Sequence, residues 1–221
     1  NPLPDHVLQE LRQGYFAGVV HLDKMIGMML NRLRELGLEN DTIIILHADH
    51  GWELGEGGSA CKMSTTELRT RVPFIIRDPT HPQSQGVVIE EPTEIVNVFP
   101  TIVELATGSP PDYDLDGVSL APLFSNPSSP MPPPQGFETP LAFSVYPRCL
   151  NTTSSYKDPD GRFITEDPCI GVPRTDFTHM GLAVRSKEYR YVEWRHWLST
   201  LQPDFSRPPV TIELYDHSND D

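Results

Sequence analysis

Residues 42–62 read TIIILHADHGWELGEGGSACK, and this stretch decides the fold. Residues 42–47 are apolar and mostly β-branched, which predicts a short buried strand. An Asp-His-Gly run at 49–51 follows the strand at once, and a glycine-rich loop then leads to Lys62. Because a helical pattern precedes the strand, the order of elements predicts an α/β fold with a ligand site at the carboxyl end of the strand.

The segment before this strand predicts one long helix that is capped by Asp5 and stops at Gly37. Apolar residues recur along it at spacings of three and four, so they share one helix face. We expect this face to pack in the core and to have no cofactor role. Its members are Leu8, Leu11, Tyr15, Val19, Leu22, Ile26, Met29, Leu33 and Leu36.

Two further elements are predicted before the chain changes character. Residues 72–77 read as a second buried strand, and residues 94–106 as a helix with Pro100 at a break or a fresh start. Gly108 ends this helix. Residues 122–140 are dense in proline and serine, which predicts a linker.

The part of the chain after the linker predicts a small antiparallel subdomain over residues 141–221. Two of its strands form a hairpin that turns at residues 186–188. The predicted strands cover residues 141–145, 180–185, 189–194 and 211–215.

The composition bounds the classes of partner. The chain has 221 residues, of which 38% are hydrophobic, so it can form a packed core. Lys and Arg total 17 against 31 Asp and Glu, and the net charge is -14. Nucleic acids and anionic membrane surfaces bind basic proteins, so we expect neither as a partner. No apolar run is long enough to span a bilayer, so we also expect no membrane insertion. A small pocket with a cation and a lysine can still bind sulfate or phosphate.

Cysteines and glycosylation sequons indicate the compartment. Cys149 and Cys169 flank a polar loop, and we expect a disulfide between them; two unpaired thiols are the alternative. Asn40 and Asn151 each begin an Asn-x-Thr sequon. Together these features favour a lysosomal or secreted protein, with a bacterial periplasmic protein as the alternative.

The chemistry of the predicted site rests on three residues. The Asp49 carboxylate can hold a divalent cation, and His50 can ligate that cation or hydrogen-bond a substrate. Lys62 can return on the loop as a compact positive charge. A metal and a lysine that meet at one point suit a tetrahedral oxyanion. The alternative is a turn in which Asp49 caps the backbone and Lys62 is a solvated surface residue.

The order of several short motifs resembles the sulfatase family of the alkaline-phosphatase-like superfamily. Two matches in the second half, including YPR at 146–148, are typical of its iduronate-2-sulfatase branch. The motifs are DHG at 49–51, LGE at 54–56, Lys62, ELRTRVP at 67–73, FPT at 99–101, ELA at 104–106, DGVSL at 116–120, YPR at 146–148 and MG at 180–181.

The resemblance implies a fold and a set of roles. The fold is α/β, with a sulfatase-like central sheet flanked by helices in residues 1–121 and a small antiparallel α+β subdomain in residues 141–221. Asp49 and His50 match positions that bind calcium, and Lys62 matches a lysine that contacts the substrate sulfate. His50 and Lys62 are thus the predicted catalytic residues.

The resemblance also implies a nucleophile that this chain does not carry. The family uses a formylglycine, made from the cysteine of a Cys-x-Pro-Ser-Arg motif that usually lies upstream, and none of the three cysteines stands in that motif. We expect both ends to be cut from a longer protein that hydrolyses sulfated glycans. This C-terminal fragment then needs the N-terminal part of the catalytic domain and is inactive alone.

Substrate contacts are predicted in the second subdomain. Tyr146, Arg148, Trp194 and Trp197 are candidates for the mouth of the site, where Arg148 can pair with a uronate carboxylate. The alternative is that these side chains pack the subdomain interface. Two other functions stay open: a phosphatase or phosphodiesterase on the same metal-dependent scaffold, and a non-catalytic polypeptide that binds glycan.

Overall fold

The long helix forms as predicted. A computed structural model describes residues 4–58, 60–149, 169 and 171–219 of the protein, and α1 spans Asp5–Glu35. The N-cap is Pro4, and Asp5 lies in the first turn, where a carboxylate favours the helix dipole. At the other end, the Gly37 N–H donates to Arg34 O and the Leu38 N–H to Leu33 O. Gly37 has a φ of 71°, so the predicted glycine stop is confirmed.

The apolar face of α1 is not buried by the described residues, and its predicted core packing is wrong for them. No α1 side chain is fully buried, and Met29 is 71% exposed. The helix meets the rest of the chain near its first turns, where Arg12 Nε donates to Leu54 O at 3.0 Å. Helical periodicity identified the apolar face, but it carries no information about which segment covers that face.

Two strands form an antiparallel pair beside α1. β1 (Ile44–His47) pairs with β4 (Phe74–Arg77), with Ile45 opposite Ile76. The predicted burial of both strands is wrong for the described residues, because Ile75 is 58% exposed and Leu46 is 36% exposed. Neither strand has a second neighbour in the described sheet, so neither lies in a fully covered interior.

A short hairpin and a short helix separate β1 from β4. β2 (Glu53–Leu54) pairs with β3 (Ala60–Cys61), and α2 (Glu67–Thr70) follows. These elements lie where the sequence predicted a loop, and they carry the predicted site.

The second predicted helix is confirmed as α3 (Val98–Thr107), which follows a 3-10 turn at Ile95–Asn97. Pro100 lies in its first turn, where a missing N–H costs no helical hydrogen bond, and Gly108 ends it with a φ of 76°. Thr101 is fully buried, and its Oγ1 donates to Asn97 O and accepts from the Leu120 N–H. This hydroxyl therefore anchors the next segment to α3.

The proline-rich segment starts in a packed helix. It begins inside α4 (Ala121–Ser125), and Leu120, Leu123 and Met131 form a buried cluster that Phe74 packs against. The prediction of a linker over residues 122–140 is therefore wrong at its start, since the apolar residues between the prolines contribute to the core. The division of the chain into two domains at this segment stays a prediction.

The last part of the chain is an antiparallel sheet, as predicted. β5 (Ala142–Arg148), β6 (His179–Arg185) and β7 (Tyr189–Leu198) are neighbours in that order. β9 (Thr211–Asp216) and the unpredicted β8 (Gln202–Pro203) both pair with β7. The β6–β7 hairpin turns at residues 186–188, so its predicted turn is confirmed. Within the described residues, no helix is both long and apolar enough to cross a membrane.

Candidate functional site

Asp49 and His50 lie together just after β1. The His50 N–H donates to Asp49 Oδ1 at 3.0 Å, and His50 Nε2 lies 3.3 Å from Asp49 Oδ2. The other ring nitrogen, Nδ1, lies 3.0 Å from Gly51 O. The Asp49 side chain is 85% exposed, so its carboxylate is open to a ligand from outside the described residues. The structure therefore brings together two of the three predicted site residues.

The backbone after His50 is held tightly against α2. The Gly51 N–H donates to Arg69 O at 2.8 Å. A Cβ on Gly51 would lie 2.0 Å from Leu68 O, so only glycine fits this close approach. The glycine of the Asp-His-Gly run thus sets the position of the two side chains that precede it.

A buried ion pair connects the two ends of the candidate site. Arg69 Nη2 lies 2.7 Å from Glu53 Oε2, and both side chains are at least 95% buried. Arg69 Nη2 also donates to Ala60 O at 3.1 Å, and Thr66 Oγ1 donates to Glu53 Oε1. Because Glu53 lies on β2 and Ala60 on β3, one guanidinium holds both strands of the hairpin that separates His50 from Lys62.

The hairpin turn shapes the approach to Lys62. The Leu54 N–H donates to Glu56 Oε2 at 2.5 Å, and hydrogen bonds from this backbone hold the pKa of Glu56 below its ordinary value. Cys61 has a φ of 71°, a left-handed conformation that costs a non-glycine residue roughly 1 kcal/mol. Lys62 follows this bend directly and is half-buried. The hairpin therefore fixes the direction in which the chain enters Lys62.

The described residues leave the predicted constellation incomplete. Among them, no hydrogen bond or ion pair joins Lys62 to Asp49 or His50. No group of three or more His, Cys, Asp or Glu side chains in the described ranges is arranged to hold a metal. Calcium takes six to eight oxygen ligands, whereas the Asp49–His50 pair supplies one carboxylate and one imidazole. These residues alone do not fit a calcium ion.

Two arginines of the C-terminal sheet bind the segment that follows Lys62. Arg190 is buried, and its Nη1 donates to Thr65 O at 2.9 Å. Arg185 makes two contacts to the Glu67 carboxylate, at 3.0 Å from Nε and 3.3 Å from Nη2. Thr65 and Glu67, the residues held by these two arginines, follow Lys62 by three and five positions, so the sheet fixes the segment that leaves Lys62.

The predicted substrate-binding residues of the subdomain are close together. The Arg148 guanidinium lies over the rings of Tyr146 and Trp194, at 4.8 Å and 5.3 Å from the ring centroids. Trp194 Nε1 donates to Glu213 Oε1 at 2.7 Å. Trp197 Nε1 instead donates to Arg174 O, so its indole N–H is engaged by the backbone. The structure groups Arg148 with Trp194, and a substrate role for them remains a prediction.

The predicted disulfide is confirmed, because Cys149 and Cys169 are bonded and both are buried. Of the two glycosylation sequons, Asn40 is exposed in the turn after α1, where a glycan has room. Asn151 lies outside the described residues. The structure does not test glycosylation at either position.

Two groups of residues were missed from sequence. The Glu53–Arg69 pair joins residues 16 positions apart through a loop, and no local pattern predicts such a pair. His179 and His196 lie opposite each other on β6 and β7, with ring centroids 4.8 Å apart. The observed register pairs Arg185 with Arg190 and so places His179 opposite His196. Counting outward from the predicted turn at residues 186–188 places His179 opposite Arg195 instead, so the sequence analysis could not have found this pair.

The loop that carries Asp49, His50 and Lys62 lies within the range of the chain that matches a known protein family. The family model described as Sulfatase matches residues 4–109. The chain belongs to the sulfatase family, as its motifs predicted.

Particular relatives refine this assignment. Iduronate 2-sulfatase of Mus musculus is 31% identical over 87% of this chain, and arylsulfatase K of Danio rerio is 34% identical over 67% of it. The chain spans only 39% of the length of the first and 27% of the second. The solved phosphonate monoester hydrolase of Silicibacter pomeroyi superposes with a TM-score of 0.66 at 26% identity, over 98% of this chain and 37% of that one. This likeness confirms the predicted α/β fold class.

Proposed function

We propose that this chain is part of a sulfuric ester hydrolase that acts on sulfated glycans. The observation that carries the proposal is the construction of the loop between His50 and Lys62. Its ends are fixed by a buried Glu53–Arg69 pair, and it presents an open carboxylate, an imidazole and a lysine in the family's order. A site with a fixed cation and a metal ligand suits a sulfate ester, whose charge is spread over several oxygens.

Asp49 is the proposed calcium ligand. Its carboxylate is exposed and touches only its neighbour His50, so it is available to a shell completed by residues outside the described ranges. A bound divalent cation would supply positive charge to the sulfate oxygens. The His50 ring is oriented by its neighbours, since Nε2 faces the Asp49 carboxylate and Nδ1 faces the Gly51 carbonyl. Nε2 becomes available to a substrate oxygen when the Asp49 carboxylate turns to the cation.

The nucleophile and the rest of the catalytic domain are proposed to lie outside this chain. The sequence has no Cys-x-Pro-Ser-Arg motif, so we expect no turnover from these 221 residues alone. The exposed apolar side chains of α1 support a missing partner, since Val20 is 70% exposed and Met29 is 71% exposed. The N-terminal part of a sulfatase domain is the occupant that the family assignment favours.

The proposed substrate is a sulfated uronate-containing glycan in a lysosomal or secreted setting. The identity with iduronate 2-sulfatase supports the uronate, and Arg148 is the candidate partner for its carboxylate. The disulfide and the exposed Asn40 sequon support an oxidising compartment.

The test measures sulfate release by the intact protein that contains this chain. The substrates are a 2-O-sulfated uronate disaccharide, an aryl sulfate and an aryl phosphonate monoester. Lys62→Ala and Asp49→Ala are each expected to lower kcat/KM for the sulfated substrates by at least about a hundredfold. Lys24→Ala and Asp112→Ala, at exposed positions, are the matched controls and are expected to leave it unchanged.

A calcium titration gives a readout that does not depend on turnover. Calcium is expected to raise the Tm of the intact protein, and to raise it far less in Asp49→Ala. Faster cleavage of the phosphonate monoester than of both sulfates would replace the proposal with a phosphodiesterase. Glycan binding without any cleavage by the intact protein would replace it with a binding polypeptide.

A further inference from the structure

One row of nitrogen-bearing side chains crosses the inner face of the C-terminal sheet. Arg148 on β5 is directly opposite His179 on β6, and His179 is directly opposite His196 on β7. Residues paired across a sheet project from the same face, and the two imidazoles are 4.8 Å apart at a tilt of 39°. All three side chains are half-buried. The row is therefore partly shielded from water and still accessible.

The Arg148 guanidinium is held in place without a carboxylate. It stacks on the Tyr146 and Trp194 rings, and among the described residues no acidic side chain pairs with it. Two other arginines of the same sheet are paired, Arg185 with Glu67 and Arg195 with Glu193. In a chain of net charge -14, an arginine that is positioned by aromatic rings alone keeps N–H donors for an anion.

The carboxylates near this row are already engaged. Asp204 lies beside His196, but it accepts from Ser206 Oγ and pairs with Arg207 at 3.2 Å. Glu213 accepts from Trp194 Nε1 with one oxygen and from the Tyr215 hydroxyl with the other. A hydrogen bond from Ser206 is the main cause that holds the pKa of Asp204 below its ordinary value, and the charge of His196 contributes, so Asp204 faces that end of the row. Among the described residues neither carboxylate pairs with Arg148 or His179, and an external anion is the counter-charge missing at that end.

We propose that Arg148, His179 and His196 form a proton-dependent binding site for a carboxylate or sulfate group of an anionic saccharide. The site extends the proposed function, on which the saccharide class rests, by a second anion contact beyond Lys62. Arg148 supplies the permanent charge, and the two histidines add charge when they are protonated. The indole of Trp194 beside them offers an apolar edge to a sugar ring.

The sign of the pH dependence follows from the environment of the histidines. Burial and the neighbouring His196 lower the pKa of His179, so without a ligand the His179 ring is neutral near pH 7. An anion favours the protonated rings, and binding therefore takes up protons. Affinity is expected to rise as the pH falls, by about tenfold between about pH 7.5 and about pH 5.

The test is a binding titration of the chain with a 2-O-sulfated uronate disaccharide at these two pH values, followed by calorimetry and by the imidazole NMR signals. The variant His179→Gln with His196→Gln is expected to keep the affinity at high pH and to lose the gain at low pH. Arg148→Gln is expected to lower the affinity about tenfold or more at both values. The matched control replaces two exposed helix histidines, His6→Gln with His21→Gln, and is expected to behave as the unmodified chain.

Each other outcome decides against the inference or identifies the anion. An unchanged gain at low pH in the histidine variant overturns the inference, as does full affinity in a folded Arg148→Gln. Circular dichroism of each variant establishes that it is folded, and Arg148→Lys replaces Arg148→Gln if the latter unfolds. Inorganic sulfate and glucuronate, titrated separately, show which group binds. Sulfate release by the intact protein with no pH-linked binding here would sink this inference alone, and binding without release would sink the proposed function alone.

Discussion

The C-terminal sheet and helix α1 are both amphipathic, yet they differ in what covers them. On the inner face of the sheet, Val192 is fully buried and Arg190 is 5% exposed. On α1, Val20 is 70% exposed and no side chain is buried. Among the described residues, the inner face of the sheet is covered by other parts of the chain, whereas the apolar face of the helix is not. A sequence pattern can therefore specify the same kind of face in two places and leave only one of them packed.

The largest effect that sharpens this contrast is expected at Arg190. Arg190→Ala removes the donor to Thr65 O and the guanidinium that stacks 4.1 Å from the Tyr215 ring. We expect the free energy of unfolding to fall by about 3 kcal/mol in urea denaturation, because a buried carbonyl loses its donor and a cavity remains. Arg32→Ala, on an ion pair with Glu35 in which both side chains are exposed, is the control and is expected to cost less than about 0.5 kcal/mol. Equal effects would contradict the packed interface.

The next effect concerns the disulfide at the edge of the sheet. Replacing Cys149 and Cys169 with serine removes a cross-link between residues 20 positions apart. The chain-entropy relation gives a loss of about 3 kcal/mol for a loop of this size. Differential scanning calorimetry of the double variant measures the loss, and a reducing agent is expected to lower the Tm of the unmodified chain only. A Tm of the unmodified chain that does not respond to reduction would exclude the stabilising role.

A smaller effect is expected at Asp78, next to β4. Asp78 is 1% exposed, and it accepts hydrogen bonds from Thr80 and faces His81 Nδ1 at 2.7 Å. Burial opposes its ionisation, but these partners outweigh burial and hold its pKa below the ordinary value. Asp78→Ala is expected to cost about 2 kcal/mol, since it leaves buried partners unsatisfied. Asp112→Ala, at an exposed loop position, is the control and should cost nothing measurable.

The same lowered pKa sets the direction of the pH response. The stability contributed by ionised Asp78 is present above the unfolded pKa of about 4 and is lost as the pH falls through the lower folded pKa. Asp78→Asn is therefore expected to flatten the loss of stability in acid. If the stability of Asp78→Asn falls with decreasing pH as steeply as that of the unmodified chain, other carboxylates cause the loss. If Asp78 stabilises the fold as expected, the first half of the chain also has a packed interior, and the lack of cover at α1 does not extend over that whole half.

The smallest effect is expected on α1. Val20→Thr is nearly isosteric and should change the free energy of unfolding of this chain by less than about 0.5 kcal/mol. The matched substitution Val192→Thr buries a hydroxyl and should cost about 2 kcal/mol. If the remainder of a sulfatase domain covers α1, the first substitution becomes costly in the intact protein. A large loss for Val20→Thr in this chain would instead show that α1 packs against residues of its own.

The sequence predicted several local elements of this fold but not the contacts between distant segments. Periodicity and Gly37 predicted α1, and turn residues predicted the β6–β7 hairpin, because both signals lie within a few residues of the element that they define. The prediction that β1 is buried was wrong, because an apolar strand sequence does not show whether another segment of the chain covers it. The buried apolar residues at the start of residues 122–140 were overlooked, so the end of a packed helix was predicted as part of a linker.

The candidate site divides in the same way. Asp49, His50 and Lys62 were found because they stand in short motifs, and the family assignment supports the reading of those motifs. The pair that holds their loop, Glu53 with Arg69, escaped because its members are joined only through folding. Sequence thus predicted the groups proposed for the chemistry and missed the groups that position them.

The position of the Arg148 guanidinium depends on Gly181 through the Trp194 ring. A Cβ at this position would lie 2.9 Å from the Trp194 ring, which rests on the bare backbone of β6. The same indole supports the Arg148 guanidinium, which is carried by β5. A methyl group at Gly181 on β6 would therefore tilt the Trp194 ring on β7. The tilted ring would in turn displace the Arg148 guanidinium on β5. The lack of a Cβ at Gly181 therefore determines where the Arg148 charge lies.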